Sequence, residues 1–483
     1  MTVRVGDAAQ APDFETAAKK LLRDTQLRRN LRHATDVIRK RRAHVVDETT
    51  DWQLLRETAR RIKEHTMRHL DIYLQQFEES CTRAGGKVHW ARDADEACRI
   101  VVDLIRSYNE KEVIKVKTMT SDEIRLNQAL EAAGITPYET DLAELIIQLG
   151  GDAPSHIVAP ALHRNRMEVR EIFLKKMGLK ELGDTPEALA EAARLYLRER
   201  FLRVKVGISG ANFAIADTGS VCVVESEGNG RMCVSLPRVL ISLIGIEKVI
   251  PRFGDLDVFL QVLPRSATGE RMNPYNSIWS GVHEGDGPQE FHAVLIDNGR
   301  TGVLADPESR ETLHCIRCGA CLNICPVYRQ TGGHAYGSTY SGPIGAILTP
   351  QLQSMQHSQS LPYASSLCGA CYEVCPVKIN IPEILIHLRS KVVANGESPL
   401  SERIGMKAAG FALSNGDRLG FAERFGRFMQ RFYERDGKLQ HLPGILKGWT
   451  EYRDMPALPK ESFREWWANR EKNAREKQKG TGS

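Results

Sequence analysis

The chain has 483 residues, of which 42% are hydrophobic and 26% are charged, and its 66 Lys and Arg against 61 Asp and Glu give a formal net charge of +5. This length predicts about three domains, and the composition excludes wholesale disorder. The charge is too mild to indicate a nucleic-acid partner, and the sequence contains no nucleic-acid-binding motif.

The apolar segments are too short for a membrane span. The longest run, residues 239–246, falls well short of the roughly 20 residues that cross a bilayer. The first residues also lack the apolar stretch of a secretory signal. We therefore expect a cytoplasmic protein, with peripheral membrane association left open.

Residues 1–69 are predicted to form a helical region. Its basic patches, Arg28-Arg29 and residues 39–42, interrupt widely spaced apolar positions, which is typical of a solvated basic face. A docking surface for an acidic partner is the alternative interpretation.

Residues 70–305 alternate between strand-like and helix-like segments. Residues 113–117 are prone to form a strand, and Thr120 and Glu123 have capping-box spacing before a helix that we expect to end at Gly134. This alternation predicts an α/β domain with a mainly parallel sheet.

The second half of this region continues the pattern. Asp141 should open a helix that closes at Gly150-Gly151, and residues 212–217 and 220–225 should form neighbouring strands. Residues 226–230 should form a turn.

No nucleotide-binding fingerprint is found. The closest match to G-x-G-x-x-G, residues 228–233, ends in Cys233 instead of glycine, and we predict that it does not open a helix. Glu225, at a predicted strand end, is a candidate for a catalytic carboxylate.

Eleven cysteines are distributed unevenly. Four of them, Cys81, Cys98, Cys222 and Cys233, are scattered and are interpreted as small buried hydrophobic residues. The other seven lie between residues 315 and 375, and this odd, clustered set argues for bound metal rather than a disulfide framework.

The first run, residues 315–326, reads C-x2-C-x2-C-x3-C-P, the bacterial ferredoxin pattern for a [4Fe–4S] cluster. Residues 368–376 repeat its end as C-x2-C-x3-C-P. Zinc is the alternative, but zinc takes four ligands per site and seven cysteines in two such runs fit it poorly.

Pairing the runs as in two-cluster ferredoxins assigns the ligands, since the fourth cysteine of each run serves the other cluster. The expected ligands are Cys315, Cys318, Cys321 and Cys375 for cluster 1, a [4Fe–4S] cluster, and Cys325, Cys368 and Cys371 for cluster 2.

Cluster 2 lacks a fourth cysteine, because the position expected to supply it is Ser365. The cluster could be [3Fe–4S], or it could be [4Fe–4S] with one iron held by Ser365, Ser366, water or a partner group. In a third alternative, Cys222 or Cys233 supplies the fourth ligand.

Three polar residues near the runs have two possible roles. His314, His334 and Tyr336 could hydrogen-bond cluster sulfides or couple electron transfer to protons, or they could simply pack in the loop that joins the runs. This loop, residues 330–366, is expected to be ordered with helical pieces.

Beyond the clusters, residues 391–465 are predicted to form a helical region and residues 466–483 a charged, disordered tail. Trp466 and Trp467 are interpreted as packing residues, with a membrane anchor as the alternative.

Taken together, the chain resembles the iron–sulfur protein B family of the bacterial lactate-utilisation system, over roughly residues 60 to 460. Besides the two cysteine runs, the resemblance lies in residues 117–127, 139–149, 154–160, 210–219, 295–301 and 332–337. The family also shows Ser-Leu-Cys-Gly-Ala-Cys in its second run, so a cluster with three cysteines would be a family feature.

The resemblance implies a LUD domain at 70–305, similar to the fold of sugar-phosphate isomerases and CoA transferases. A ferredoxin-like domain at 306–390 would follow. It also implies two partner subunits, one cysteine-rich and one made of a LUD domain alone, that together oxidise L-lactate to pyruvate. No catalytic residue is implied.

We therefore expect an electron-transfer subunit without a self-contained active site. One alternative is the same role in glycolate or glycerol-3-phosphate oxidation. Another is a ligand-binding or transferase module whose clusters act as a redox sensor.

Overall fold

The computed structural model describes residues 12–396, 400–451 and 453–480. The chain divides into a first compact unit that extends to Val392 and a second unit that begins at Val393. The boundaries predicted at residues 70 and 306 both lie within the first unit.

The strands are β1 (Lys87–Ala91), β2 (Glu112–Lys115), β3 (Thr136–Glu139), β4 (Val206–Gly210), β5 (Phe213–Ile215), β6 (Ser220–Glu225), β7 (Val239–Gly245), β8 (Val249–Ile250), β9 (Tyr275–Ser280), β10 (Glu290–Ile296), β11 (Glu434–Arg435), β12 (Lys438–Leu439) and β13 (Met455–Pro456).

The helices are α1 (Phe14–Leu21), α2 (Thr25–Asp47), α3 (Trp52–Arg68), α4 (Leu70–Arg83), α5 (Ala94–Ser107), α6 (Met119–Glu123), α7 (Leu126–Ala132), α8 (Leu142–Gly150), α9 (Arg166–Met177), α10 (Pro186–Arg203), α11 (Asn229–Ser235), α12 (Leu256–Ala267), α13 (Arg300–Ala305), α14 (Ala320–Ile324), α15 (Tyr328–Thr331), α16 (Gly342–Leu352), α17 (Met355–Ser358), α18 (Ala370–Val374), α19 (Ile381–Ala394), α20 (Leu400–Leu413), α21 (Gly416–Gln430), α22 (Lys447–Thr450) and α23 (Phe463–Gly480).

A six-stranded sheet forms the centre of the first unit, and all its strands are parallel, in the order β1-β10-β7-β4-β2-β3. The predicted α/β architecture with a parallel sheet is confirmed. Strand β7 is buried at every position, as expected where both faces of a parallel sheet are covered. One face packs against Val101 and Ile105 of α5 and Leu130 of α7.

The strand order leaves a crevice at the carboxyl ends of two neighbouring strands of this sheet. From β2 the chain passes to β3, whereas from β4 it eventually passes to β7 on the opposite side. The adjacent carboxyl ends of β2 and β4 thus form a topological switch point, where open parallel sheets leave room for a ligand.

A second sheet, in the order β8-β5-β6-β9, extends the first unit. Its strands β5 and β6 pair antiparallel, with Ile215 opposite Ser220, as predicted. The helix predicted from Asp141 is also found: the Asp141 side chain accepts the N–H groups of Ala143 and Glu144, and Gly151 ends the helix in the left-handed region.

Two local predictions are wrong. The helix predicted after Thr120 is divided into α6 and α7, because Arg125 has a φ of 56° and stops the helix. The cap is Thr118, which lies shortly after β2, and its hydroxyl accepts the Thr120 N–H. The segment at Gly228 does open a helix, α11, contrary to the prediction from its sequence.

The N-terminal helices pack against the cysteine-containing part of the first unit. Leu31 of α2 and Ala59 of α3 share one hydrophobic core with Leu322 and Tyr328. The predicted helical region is therefore present in the described residues. Most of the predicted basic face is exposed, but Arg42 in its second patch is half-buried, and Arg56, outside the patches, is only 6% exposed.

The second unit contains α20 to α23 and a small antiparallel sheet, β11-β12-β13. The disordered tail predicted from residue 466 is wrong for residues up to 480, which continue α23. Its Glu, Lys, Arg, Gln and Ala residues have high helix propensity. Trp466 and Trp467 remain 41% and 46% exposed beside Phe463, so they are not core residues.

None of the helices in the described ranges combines the length and the hydrophobicity of a membrane-spanning segment.

A buried network of charges joins the sheet to the cysteine runs. The Arg300 guanidinium, fully buried, donates to both oxygens of Glu123 at 2.8 and 2.9 Å and also to Glu247. The other Glu247 oxygen accepts from Arg317, between Cys315 and Cys318, at 3.1 Å. Although burial opposes it, Arg300 lowers the pKa of both carboxyls.

Replacement of Arg300 should be strongly destabilising. Arg300→Met leaves two buried carboxylates without their main partner, which should lower the free energy of unfolding by about 3–5 kcal/mol. Urea unfolding of the anaerobic, cluster-loaded chain, followed by circular dichroism, measures the effect. Arg310→Met, at an exposed position, is the control, and equal unfolding midpoints for the two variants would contradict the expectation.

Candidate metal centre

The two cysteine runs adopt the same local conformation. Cys318 lies between two residues with positive φ, Arg317 and Gly319, and Cys368 lies in the same way between Leu367 and Gly369. A short helix follows each of these glycines, α14 in the first run and α18 in the second.

The last cysteines of the two runs also match. Cys325 ends α14 with φ and ψ of −68° and 121°, and Cys375 ends α18 with −65° and 121°. The sequence repeat is therefore also a structural repeat.

Cysteines of both runs line one cavity. Its wall contains Cys315, Cys318 and Cys321 of the first run and Cys375 of the second, together with apolar side chains such as Ile344. Cys315, Cys318 and Cys375 are buried, at 9%, 8% and 7% exposed. The structure thus brings together four sulfur atoms in an apolar, water-poor environment.

The other three cysteines of the runs form a second group. Helices α14 and α18 are in contact; Cys325 follows the first of them, and Cys371 lies in the second, three residues after Cys368. Cys368 is exposed, which places this group closer to solvent than the first. The Ser365 hydroxyl accepts the Leu367 N–H at 3.1 Å, just before Cys368 in the chain.

The scattered cysteines belong to the α/β part of the first unit. Cys222 is buried in β6, and Cys233 in α11 has its sulfur 3.3 Å from the Thr140 hydroxyl. Both are buried core residues, as interpreted from the sequence.

Backbone donors surround the cysteine runs. The N–H groups of Arg317, Tyr328 and Ile379 donate to the sulfur atoms of Cys315, Cys325 and Cys375 at 3.4 to 3.5 Å. Such N–H donors stabilise negative charge on thiolate ligands.

Two arginines of the N-terminal helices hold the end of α18. Arg42 donates to the carbonyl of Val374 at 3.0 Å, and Arg56 donates to those of Tyr372 and Cys375 at 3.1 and 2.8 Å. Sequence reasoning misses them, because they lie more than 300 residues from their acceptors and Arg42 belongs to a patch interpreted as a solvated face.

The residues present fit an iron–sulfur cluster. All the cysteines in the two runs are free thiols. Burial raises the pKa of Cys375 to about 11, so loss of its proton at neutral pH requires a cation such as iron.

The charge around the four-cysteine cavity agrees with an anionic cluster. Burial lowers the pKa of Lys63 to about 7 and that of Lys248 to about 8. Even if Lys63 is neutral, the buried positive charges outnumber the buried negative charges of the network. The cations are Lys248, Arg300 and Arg317, and the carboxylates are Glu123 and Glu247. Four thiolates around iron and sulfide would add negative charge next to Arg317, whose Nε and Nη1 have no acceptor among the described residues.

Two of the polar residues near the runs make packing contacts in the loop that joins them. His334 donates from Nε2 to the Ala153 carbonyl at 2.8 Å, and Tyr336 packs its ring against Phe14. Burial lowers the pKa of His314 to about 3, so this imidazole is neutral at physiological pH.

Glu225, the candidate for a catalytic carboxylate, is hydrogen-bonded to backbone N–H groups. It accepts the N–H groups of Glu227, Gly228 and Arg231, and thereby fixes the start of α11.

A segment of the α/β part also supports the first run. His156 accepts the Val158 and Ala159 N–H groups at Nδ1, so its Nε2 carries the proton and donates to Asn323 at 3.1 Å. Gly319 packs closely here, since a Cβ at this position would lie 3.1 Å from Val158.

Three family models match successive parts of the chain. They describe a LUD domain at residues 74–296, a 4Fe-4S dicluster domain at residues 311–379, and "Lactate utilisation protein B, C-terminal" at residues 389–472. The second covers both cysteine runs, so the domain type expected from their spacing is confirmed.

Curated relatives match nearly the whole chain. "Lactate utilization protein B" of Bacillus licheniformis is 43% identical over 444 residues, 91% of this chain and 93% of its own. The proteins of the same name from Bacillus subtilis and Oceanobacillus iheyensis are 43% and 42% identical and cover 92% and 99% of this chain and 94% and 100% of their own.

A solved structure, a duf162 family protein from Deinococcus radiodurans, covers 47% of this chain and 98% of its own at 16% identity, with a TM-score of 0.25. The relatives and the family models agree over almost the full length. The chain belongs to the lactate utilization protein B family.

Proposed function

We propose that this chain is the iron–sulfur electron-transfer subunit of a cytoplasmic system that oxidises L-lactate to pyruvate. The observation that carries the proposal is the cavity that cysteines of both runs line together. Two other subunits complete the system, one cysteine-rich and one made of a LUD domain alone.

The ligand sets follow the two groups of sulfur atoms. Cluster 1, a [4Fe–4S] cluster, is bound by Cys315, Cys318, Cys321 and Cys375. Cluster 2 is bound by Cys325, Cys368 and Cys371, and is either [3Fe–4S] or [4Fe–4S] with a non-cysteine fourth ligand. The lining of the cavity and the contact between α14 and α18 support this assignment.

The names of the relatives support lactate as the compound whose oxidation supplies the electrons. Oxidation of lactate releases two electrons, and an iron–sulfur cluster accepts and donates electrons singly. A chain with two cluster sites next to each other therefore suits transfer between a two-electron donor and a one-electron acceptor.

The protein's own residues fix the positions and the surroundings of the two sites. Arg42 and Arg56 hold the end of α18, and the Glu247 network holds Arg317 in the first run. The first site is buried while Cys368 is exposed, so the second site is the one that a redox partner can approach closely.

Loss of Cys375 should remove one cluster selectively. Cys375→Ser takes the fourth thiolate from cluster 1, so iron bound after anaerobic reconstitution should fall by about half while the signal of cluster 2 remains. Iron and sulfide assays with low-temperature electron paramagnetic resonance measure this. Cys98→Ser, at another buried cysteine, is the control, and an equal loss of iron in both variants would refute the ligand assignment.

Introduction of a cysteine at position 365 tests the open corner of cluster 2. Ser365→Cys restores the C-x2-C spacing, so the Mössbauer spectrum of cluster 2 should change to that of a [4Fe–4S] cluster with four thiolates. Ser366→Cys shifts the thiol by one residue and should leave the spectrum as in the wild type. An unchanged spectrum for Ser365→Cys would contradict the predicted position.

Growth on single carbon sources tests which compound the system oxidises. A strain without this chain should lose growth on L-lactate and keep growth on glycolate and glycerol-3-phosphate. The wild-type gene should restore growth, and the Cys375→Ser gene should not. Growth on lactate without the chain would overturn the proposal, and loss on glycolate or glycerol-3-phosphate instead would identify the alternative client.

A further inference from the structure

A cavity of about 210 Å³ opens at the switch point of the six-stranded sheet. It is lined by the residues that follow β2, the residues that follow β4 and the segment between β6 and α11. Arg317 of the first cysteine run closes one side and also lines the four-cysteine cavity. The two cavities therefore share the side chain of Arg317 as a wall.

Basic groups in this cavity lack acceptors. Lys248 is 8% exposed, and its ammonium group makes no hydrogen bond or ion pair with any residue in the described ranges. Lys117 has a buried Nζ without a hydrogen-bond partner among the described residues, and its ion pair with Glu144 measures 3.4 Å. Arg317 uses one nitrogen on Glu247, while its Nε and Nη1 have no acceptor in the same part of the chain.

Acidic groups in the same cavity already have donors. Asp141 accepts the N–H groups of Ala143 and Glu144, and Glu225 accepts three backbone N–H groups. Glu227 accepts the Leu142 N–H at 3.1 Å. The groups of this cavity that lack a hydrogen-bond partner are therefore donors, so a ligand that pairs with them must offer hydrogen-bond acceptors.

Burial of an ammonium group without a hydrogen-bond acceptor is unfavourable, and a bound anion offsets that cost. Lys248 and Lys117 offer point charges that suit a single carboxylate. The size of the cavity suits a small molecule, and its lining includes apolar residues such as Val223 and Leu263, which suit a short carbon chain.

We propose that this cavity is a binding site for a small monocarboxylic acid whose carboxylate contacts Lys248 and Lys117. The choice of a 2-hydroxy or 2-oxo acid such as lactate or pyruvate rests on the proposed function, whereas the anion site rests on basic groups of the cavity that lack hydrogen-bond acceptors among the described residues. Bound acid then lies next to Arg317 and, through it, next to the first cysteine run.

Calorimetric titration of the full-length, cluster-loaded chain under anaerobic conditions tests the site. The probes are pyruvate, L-lactate, propionate and inorganic phosphate. The wild type should bind pyruvate and L-lactate, and Lys248→Met should weaken this binding at least about tenfold, because it removes a charged hydrogen-bond donor. Lys180→Met, at an exposed lysine, should bind as the wild type does.

Two further readouts separate a binding role from a structural one. Lys248→Arg keeps the positive charge and should retain binding within a few-fold, and both Lys248 variants should keep the iron content of the wild type. Pyruvate should also perturb the electron paramagnetic resonance spectrum of reduced cluster 1 in the wild type and leave that of Lys248→Met unchanged.

Equal affinity of Lys248→Met and Lys180→Met for pyruvate would overturn the inference, as would binding of phosphate without binding of any monocarboxylate. These failures differ from failure of the proposed function. A chain that supports growth on lactate but binds no acid loses only this site. A chain that binds pyruvate through Lys248 but is dispensable for growth on lactate loses only the electron-transfer role.

Discussion

The Glu247 carboxylate is the contact on which the arrangement of the first unit depends. It lies just after β7, a central strand of the sheet, and binds Arg300 with one oxygen and Arg317 with the other. Arg300 is bound in turn to Glu123, which closes the short helix after β2. Because these charges are buried, none of them can lose its partner without a large cost, so the cysteine run is held at a fixed place beside the sheet.

This arrangement gives the molecule an interior and an exterior cysteine site. The four-cysteine cavity lies deep in the first unit, against the network and the switch-point cavity, while the group with Cys368 reaches the surface. Under the proposed function, a single compact unit holds a route for electrons from a buried donor to an external acceptor. The proposed acid site would stand at its inner end.

The N-terminal helices contribute more than a solvated basic face. Arg42 and Arg56 bind the carbonyl end of α18, and the same helices share their core with the cysteine-containing segment. They therefore support the last cysteine of the second run, although more than 300 residues separate the two regions. This explains why the boundary predicted near residue 70 lies inside a compact unit.

The sequence by itself determined the features that depend on local spacing: the 4Fe-4S dicluster domain, the β5–β6 hairpin, the helix that Asp141 caps and the α/β class of the sheet. Cysteine spacing, helix caps and the alternation of strand-like and helix-like segments each depend on a few neighbouring residues, so they can be recognised in a single sequence. Only the tertiary structure decided which charges are buried together, that Arg125 interrupts a helix and that Lys248 faces a cavity without an acceptor among the described residues. These depend on residues brought together from distant parts of the chain, and burial, which sets their energies, is a property of the whole fold.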